Sequence, residues 1–188
     1  MKFDALIIGG GRSGSAAGRA LLSRGLHVCV VADGLHLGVD GADPYAHLNA
    51  LAREGATVLR GDRALRGIWE EGRLRAVQTV KLEDEPIEAS VFVLATGKFF
   101  SRGLLSDMER VYEPVFGADV SFLSGRSNWY AADFFAPQPF LDFGVQTDPE
   151  GHVLFGGVPC PNLYAVGGIL AKGAAAADPA RISLSTQD

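Results

Sequence analysis

A glycine-rich turn near the beginning of the sequence limits the possible folds more than any other feature. A short apolar run over 5–8 leads into Gly9, and Gly9, Gly11 and Gly14 have the spacing G-x-G-x-x-G. An uninterrupted apolar run of this length is typical of a strand covered on both faces in a parallel sheet. The first glycine permits the tight turn, the second allows the backbone to approach a pyrophosphate, and the third allows close packing of helix and strand.

The residues after this turn complete a strand-helix-strand unit. Apolar spacing predicts a helix over 13–24 with Gly25 at its C-terminal cap, and a second buried strand over 28–31. A unit of this kind connects parallel neighbours, and the helix N-terminus presents free amides and a partial positive charge to an anion. The sequence therefore predicts a dinucleotide-binding turn that comprises Gly9, Gly10, Gly11, Arg12, Ser13 and Gly14.

The remaining segments predict more of the same sheet and an antiparallel addition. We expect a helix over 44–53, strands over 57–59, 91–94 and 163–166, β-hairpins within 68–88, and a short C-terminal helix that begins at Asp178-Pro179. The predicted fold is α/β: a Rossmann-like domain with a parallel sheet, βαβ units and an antiparallel hairpin insertion. We expect residues 1–188 to form a single domain, in which 99–144 are a reduced cap or insertion.

The end of the second strand departs from the usual dinucleotide site. An acidic residue is expected there to accept hydrogen bonds from the adenosine ribose, but the position holds Ala32, and Asp33 follows it. Gly34 indicates that the chain already turns at this point, so Asp33 is either the ribose ligand or a solvated turn residue. His36 lies in the loop beyond and is a candidate proton donor near a bound ligand.

Two further segments resemble the two-dinucleotide-binding-domain flavoproteins. Residues 91–97 resemble the Ala-Thr-Gly motif of that superfamily, and 162–168 resemble its terminal strand. This resemblance implies FAD in preference to NAD, with FMN the less favoured flavin, and a FAD-binding domain over the whole chain. The terminal strand of the superfamily often closes with Gly-Asp, where this sequence has Gly168-Ile169. The resemblance adds Ala64, Ala95, Thr96, Gly97, Gly167, Gly168 and Ile169 to the predicted cofactor site, together with Ala32, Asp33, Gly34 and His36.

Three longer segments, 94–104, 113–120 and 129–145, resemble the B subunit of the anaerobic glycerol-3-phosphate dehydrogenase. That family implies oxidation of glycerol 3-phosphate to dihydroxyacetone phosphate. It also implies partner subunits, including a membrane-associated iron-sulfur subunit. Most of the domain on the substrate side of the flavin is expected to be missing. Two alternatives stay open: a non-catalytic flavin-binding or assembly module, and a short flavoprotein related to the glucose-inhibited division protein A.

Residue types for chemistry other than flavin chemistry are scarce, and the sequence identifies no catalytic residue. Lys98 and Arg102 flank Phe99-Phe100 and are candidates for binding an anionic substrate, although a solvated rim is the simpler interpretation. The dense aromatics of 129–143 indicate either a cluster that covers the sheet or a docking surface for a partner subunit.

The composition disfavours several classes of function. The net charge is −5 and Lys and Arg are scattered singly, which disfavours a nucleic-acid ligand. Cys29 and Cys160 are far apart and predict neither a disulfide framework nor a metal site. No apolar stretch approaches the ~20 residues of a membrane span, and the first apolar run is too short for a signal peptide. We therefore expect a cytoplasmic protein that does not insert into a membrane.

Overall fold

A computed structural model of the chain describes residues 1–34 and 45–184. Its two α-helices are α1 (Arg12–Leu22) and α2 (Ala46–Arg53). The strands of its main sheet are β1 (Lys2–Ile8), β2 (Val28–Ala32), β3 (Thr57–Arg60), β4 (Ala64–Glu70), β5 (Arg73–Thr79), β6 (Ile87–Leu94), β11 (His152–Phe155) and β12 (Val158–Ala165). Four two-residue strands lie between them: β7 (Leu105–Ser106), β8 (Val111–Tyr112), β9 (Val120–Ser121) and β10 (Gly144–Val145).

The main sheet runs in the order β11-β12-β6-β1-β2-β3. Strands β12, β6, β1, β2 and β3 are parallel, so their carboxyl ends meet at one edge. The β4-β5 hairpin joins the first half of β6 in antiparallel pairing, and β11 pairs antiparallel with β12. This arrangement confirms the predicted α/β fold with a parallel sheet and an antiparallel hairpin insertion.

Alternation along the buried strands creates two hydrophobic clusters, one on each face of the sheet. The first contains Ile7 and Val30 and is covered by α1 and α2 through buried side chains such as Leu21 and Leu48. The second contains Phe92 and is covered by the hairpin and by the region after β6. Both faces are therefore closed, which explains why these strands are continuous apolar runs rather than alternating ones.

The region over 99–144 packs onto the sheet instead of standing away from it. It contains the strand pairs β7-β8 and β9-β10 and two short 3-10 helices, Arg126–Asn128 and Pro139–Asp142. Trp129 and Phe143 are buried in the same cluster as Phe92, and their rings meet edge to face with centroids 6.3 Å apart.

Several predicted boundaries need correction. Helix α1 begins one residue earlier than predicted and ends at Leu22, and Gly25 with φ of 79° completes the turn that follows it. The hairpin begins at Ala64 rather than after 67 because β4 pairs with β5 along its whole length. Strand β12 begins at Val158, five residues before the predicted 163, because its first residues pair with β11.

The helix predicted to begin at Asp178-Pro179 is wrong for the residues that the structure describes, which form a turn followed by irregular chain up to Leu184. Asp178 Oδ1 accepts a hydrogen bond from the Ala180 N–H, as a cap would. The chain is then held against the helical face, because Pro179 accepts a hydrogen bond from Arg24 and Ile182 is buried. Within 1–34 and 45–184, no helix is long and apolar enough to cross a membrane.

Candidate functional site

A cavity of about 510 Å³ opens where the carboxyl ends of the parallel strands meet the N-terminus of α1. This is the edge at which open α/β sheets bind ligands, and the volume lies within the range usual for small-molecule sites. Its wall is formed by the glycine-rich turn after β1, the residues after β2 and β6, and the beginning of β4. Leu105, Pro114 and Val115 from the region after β6 close it from the other face.

The glycine-rich turn has the geometry that a close ligand approach requires. Gly9 has φ of 114°, and a Cβ at this position would lie 2.3 Å from the Ala95 carbonyl oxygen. A Cβ at Gly14 would lie 2.0 Å from the Gly9 carbonyl oxygen, so strand, turn and helix touch through backbone alone. At Gly11, in contrast, a Cβ would meet no atom within 4 Å. The first and third glycines are thus required for packing, whereas Gly11 faces open space at the cavity.

The N-terminus of α1 supplies hydrogen-bond donors at the same place. Gly11 is its N-cap, and no side chain caps it in the described chain. Free amides of the first turn and the helix dipole therefore favour an anion here. The turn is also supported from behind, because His47 Nε2 lies 2.6 Å from the Gly10 carbonyl oxygen.

At the β2 end of the cavity the chain places Asp33, not Ala32, against the open space. Ala32 is 2% exposed and belongs to the helix-side cluster, where its Cβ lies 2.6 Å from the position that a Cβ of Gly10 would occupy. The strand ends at Ala32 and Gly34 takes φ of 83°, so the chain turns as the sequence indicated. A longer acidic side chain in place of Ala32 would therefore have to displace core atoms.

Asp62 shapes the wall next to Asp33. It is 2% exposed, and its carboxylate accepts hydrogen bonds from the Thr79 hydroxyl (2.7 Å), the Arg63 N–H (2.8 Å) and the Lys81 N–H (3.0 Å). These bonds hold the turn that leads into Ala64, a residue that lines the cavity as predicted for the adenine side.

At the β6 end the cavity is lined by Thr96, Gly97 and Arg102. Thr96 Oγ1 is buried and has no hydrogen-bond partner in the described chain, which is unusual for a buried hydroxyl. Gly103 packs behind it, since a Cβ there would lie 2.0 Å from the Gly97 carbonyl oxygen. Gly168, after β12, completes this end.

The structure brings most of the predicted cofactor residues to one cavity. Gly14, Ala32, Gly34, Gly167 and Ile169 do not line it: Ile169 is fully buried, and a Cβ at Gly167 would lie 2.1 Å from Ser13 Oγ, so these residues support the wall. His36 lies outside the described residues. The predicted residues that line the cavity are Gly9, Gly10, Gly11, Arg12, Ser13, Asp33, Ala64, Ala95, Thr96, Gly97 and Gly168.

Sequence reasoning missed the residues that hold the walls through long-range contacts. Glu113 is 2% exposed, and its carboxylate accepts the N–H groups of Val115, Phe116 and Gly117 at 2.7–3.0 Å, which fixes the Pro114-Val115 wall. Burial raises the pKa of Glu113, and these backbone hydrogen bonds oppose the rise. A glutamate before a proline gives no signal of this role in the sequence.

Three guanidinium groups, those of Arg12, Arg63 and Arg102, belong to residues that line the cavity and have no hydrogen-bond or ion-pair partner within the described chain. Lys98 behaves differently from its predicted companion Arg102. Its Nζ donates to the Leu141 carbonyl, and burial lowers its pKa. Lys98 thus braces the region after β6, while Arg102 is left at the cavity.

Reactive groups elsewhere do not join this site. Cys29 lies in the sheet, where burial raises its pKa to about 12 and keeps it protonated. Asp148, Glu150 and His152 bring ligand atoms within 4.8 Å of one another, but they lie around β11 and do not line the cavity.

These features fit FAD. A turn without side chains and free helical amides suit a pyrophosphate, Asp33 offers a carboxylate to a ribose, and the cavity continues past β6 along Thr96 and Gly97.

Comparison with known proteins points the same way. The sequence model of the family described as FAD binding domain matches residues 37–180. The B subunit of anaerobic glycerol-3-phosphate dehydrogenase is 40% identical over 116 residues in Yersinia pseudotuberculosis and 43% identical over 116 residues in Pectobacterium carotovorum. Each match covers 62% of this chain and only 27% of the relative's length.

Among solved structures, a geranylgeranyl bacteriochlorophyll reductase-like protein from Thermoplasma acidophilum superposes with a TM-score of 0.45 at 17% identity, covering 51% of this chain and 39% of the other. A thioredoxin reductase from Gloeobacter violaceus gives a TM-score of 0.44 at 17% identity, with 57% and 37% covered.

Proposed function

The chain belongs to the FAD binding domain family, with FAD as its cofactor, and we propose that it is the flavin subunit of an oxidoreductase whose substrate is glycerol 3-phosphate. The observation that carries this proposal is that the glycine-rich turn, Asp33, Ala64 and Thr96 line the same cavity. The similarity to the B subunit of the anaerobic dehydrogenase supports the substrate, and it extends over only 27% of the relatives' length.

Each part of the cavity has a proposed task in holding the cofactor. The amides at the N-terminus of α1, with Arg12, bind the pyrophosphate, because a helix N-terminus and a guanidinium both favour phosphate oxygens. Asp33 accepts ribose hydroxyls and the backbone at Ala64 faces the adenine. Residues 95–97 and Gly168 lie along the flavin end.

Bound FAD supplies a two-electron acceptor for the oxidation of an alcohol to a ketone. The chain itself supplies orientation and charge. Its apolar residues Leu105 and Val115 restrict water at the flavin end. The two carboxylates of the described wall, Asp33 and Asp62, lie towards the adenosine end, so we assign neither of them as the base that takes the hydroxyl proton.

We further propose that other dehydrogenase subunits cover this chain, including one that carries iron-sulfur centres and lies at a membrane, and that the chain is cytoplasmic. Exposed aromatic side chains support a partner: Phe134 and Phe135 are 84% and 92% exposed and their ring centroids lie 5.4 Å apart. Buried cores of interfaces are enriched in such side chains. The two free cysteines suit a reducing compartment.

Anaerobic mixing of the purified FAD-loaded chain with glycerol 3-phosphate tests the proposed activity. Loss of the oxidised flavin absorption, matched by one equivalent of ketone, is the expected result. Glycerol is the control donor, since it offers the same alcohol without the phosphate. A yellow chain that stays oxidised with glycerol 3-phosphate, alone and with the other subunits, would identify a non-catalytic flavin-binding module instead.

A further inference from the structure

Arg102 has an unusual backbone conformation. Among the described residues, only Glu71 and Arg102 are non-glycine residues with positive φ, at 48° and 59°. Glu71 is explained by its turn, because Glu71 and Gly72 both have positive φ in the two-residue connection between β4 and β5. No hairpin explains Arg102.

The turn around Arg102 is one that normally uses glycine at this position. The Gly103 N–H donates to the Lys98 carbonyl at 3.0 Å and the Arg102 N–H donates to the Phe99 carbonyl at 3.1 Å, the pair of bonds of a Schellman motif. Its left-handed residue is usually glycine, because a Cβ is strained there. The chain has its glycine one residue later, where close contact with Gly97 demands it. The backbone of Arg102 is thus held in a strained conformation that glycine would adopt without cost.

The position of Arg102 in the cavity wall indicates what its side chain can bind. Arg102 lines the end that follows β6, beside Ser101 and the apolar Leu105. Two strand spacings, or about 10 Å, separate the end of β6 from the end of β2, where Asp33 lies. Arg102 itself lies eight residues beyond the end of β6. In the part of the chain that the structure describes, its guanidinium forms no hydrogen bond or ion pair, with Asp33 and Asp62 of the cavity wall or with any other residue.

We infer that Arg102 binds the negatively charged group of the substrate at the flavin end of the cavity, and so selects small oxyanions. The inference rests on the proposal that FAD fills the rest of the cavity. A guanidinium presents paired donors that match the oxygens of a phosphate or a carboxylate, and apolar neighbours strengthen the attraction because they exclude water. Strained backbone at a ligand site persists because the surrounding turn enforces it.

The test uses the full FAD-loaded chain, with inorganic phosphate and acetate as separate probes. Arg102→Gly removes the charge and relieves the strain, so phosphate affinity measured by calorimetry should fall about tenfold or more. The melting temperature should stay unchanged or rise by up to about 2–4 °C. A tighter response to phosphate than to acetate would identify a phosphate ester as the substrate class, and the reverse order a carboxylate.

Arg66→Gly is the matched control. Arg66 is exposed on β4, donates a hydrogen bond to the Gln78 side chain and does not line the cavity. This variant should therefore melt at a lower temperature than the wild type and bind phosphate with the same affinity. A wild type that binds neither phosphate nor acetate, or binding of the preferred probe that is equal in wild type and Arg102→Gly, would overturn the inference. The FAD content of each sample separates the two proposals. An Arg102→Gly protein with the FAD content and the phosphate affinity of the wild type refutes only the role of Arg102. A wild type that takes up no FAD refutes the proposed function on which that role rests.

Discussion

The three glycines of the turn should respond very differently to substitution, although they belong to one motif. Gly11 has φ of −73°, which any residue adopts, and its missing Cβ points into open space. Gly11→Val should therefore fold, with a loss of no more than about 1 kcal/mol from the poorer N-cap. Its branched side chain would occupy the place of the pyrophosphate and separate it from the helical amides.

The expected loss of affinity follows from the bonds that are broken. Two charge-assisted hydrogen bonds from backbone amides contribute about 3–6 kcal/mol together, which corresponds to about 10²- to 10⁴-fold in the dissociation constant of FAD. Titration of apoprotein with FAD, followed by flavin fluorescence, gives this constant, and circular dichroism gives the melting temperature of the same sample.

Gly14→Ala is the opposite case and serves as the control. Its Cβ would lie 2.0 Å from the Gly9 carbonyl oxygen, so helix and strand must separate, at a cost of about 1–3 kcal/mol in the free energy of unfolding. A Gly11→Val protein that binds FAD as tightly as the wild type would refute the assigned place of the pyrophosphate. Equal stability of Gly14→Ala and wild type would refute the packing argument.

Three further predictions concern single side chains. Asp33→Ala should weaken FAD binding about ten- to a hundredfold without changing FMN binding, and equal effects on both flavins would contradict a ribose contact. Ala32→Glu, in contrast, should lower the melting temperature because Ala32 is buried. Asn162→Ala should lower the free energy of unfolding by about 3 kcal/mol in urea titrations, since the Asn162 side chain makes three hydrogen bonds to backbone groups, two of them buried. A loss below about 1 kcal/mol would be too small for these bonds. Because the pKa of Glu113 is raised above 4.5 in the folded chain, the folded chain keeps this proton after the unfolded chain has lost it. The free energy of unfolding should therefore decrease as the pH rises from 4.5 to the raised pKa. Glu113→Gln should remove that decrease, and a variant with the same pH dependence as the wild type would contradict the assignment to Glu113.

The sheet and the phosphate turn were predictable because their signals are local. Continuous apolar runs over 5–8, 28–31 and 91–94 indicate strands buried on both faces, and glycines at fixed spacing mark the turn between strand and helix. The sequence also indicated the turn at Gly34, which directs Asp33 rather than Ala32 to the cavity, although it left the role of Asp33 open.

The supports of the site depend on contacts between distant residues, which no local pattern reveals. Asp62 is fixed by the hydroxyl of Thr79, and the place of Glu113 depends on the backbone that folds back over it. The C-terminal prediction failed for a related reason: Asp178 has the chemistry of a cap, but burial of Ile182 against the helical face determines the path of the chain. Arg102 was recognised by its charge, while its strained backbone is visible only in the structure.

The amount of FAD bound by the purified chain tests the central claim most directly. Apoprotein titrated with FAD under native conditions should take up one FAD per chain, turn yellow and melt at a higher temperature, because a ligand that binds only the folded state stabilises it. FMN should bind more weakly, since it lacks the adenosine half that Asp33 and Ala64 would contact. A folded chain that stays colourless in excess FAD, with an unchanged melting temperature, would contradict the account.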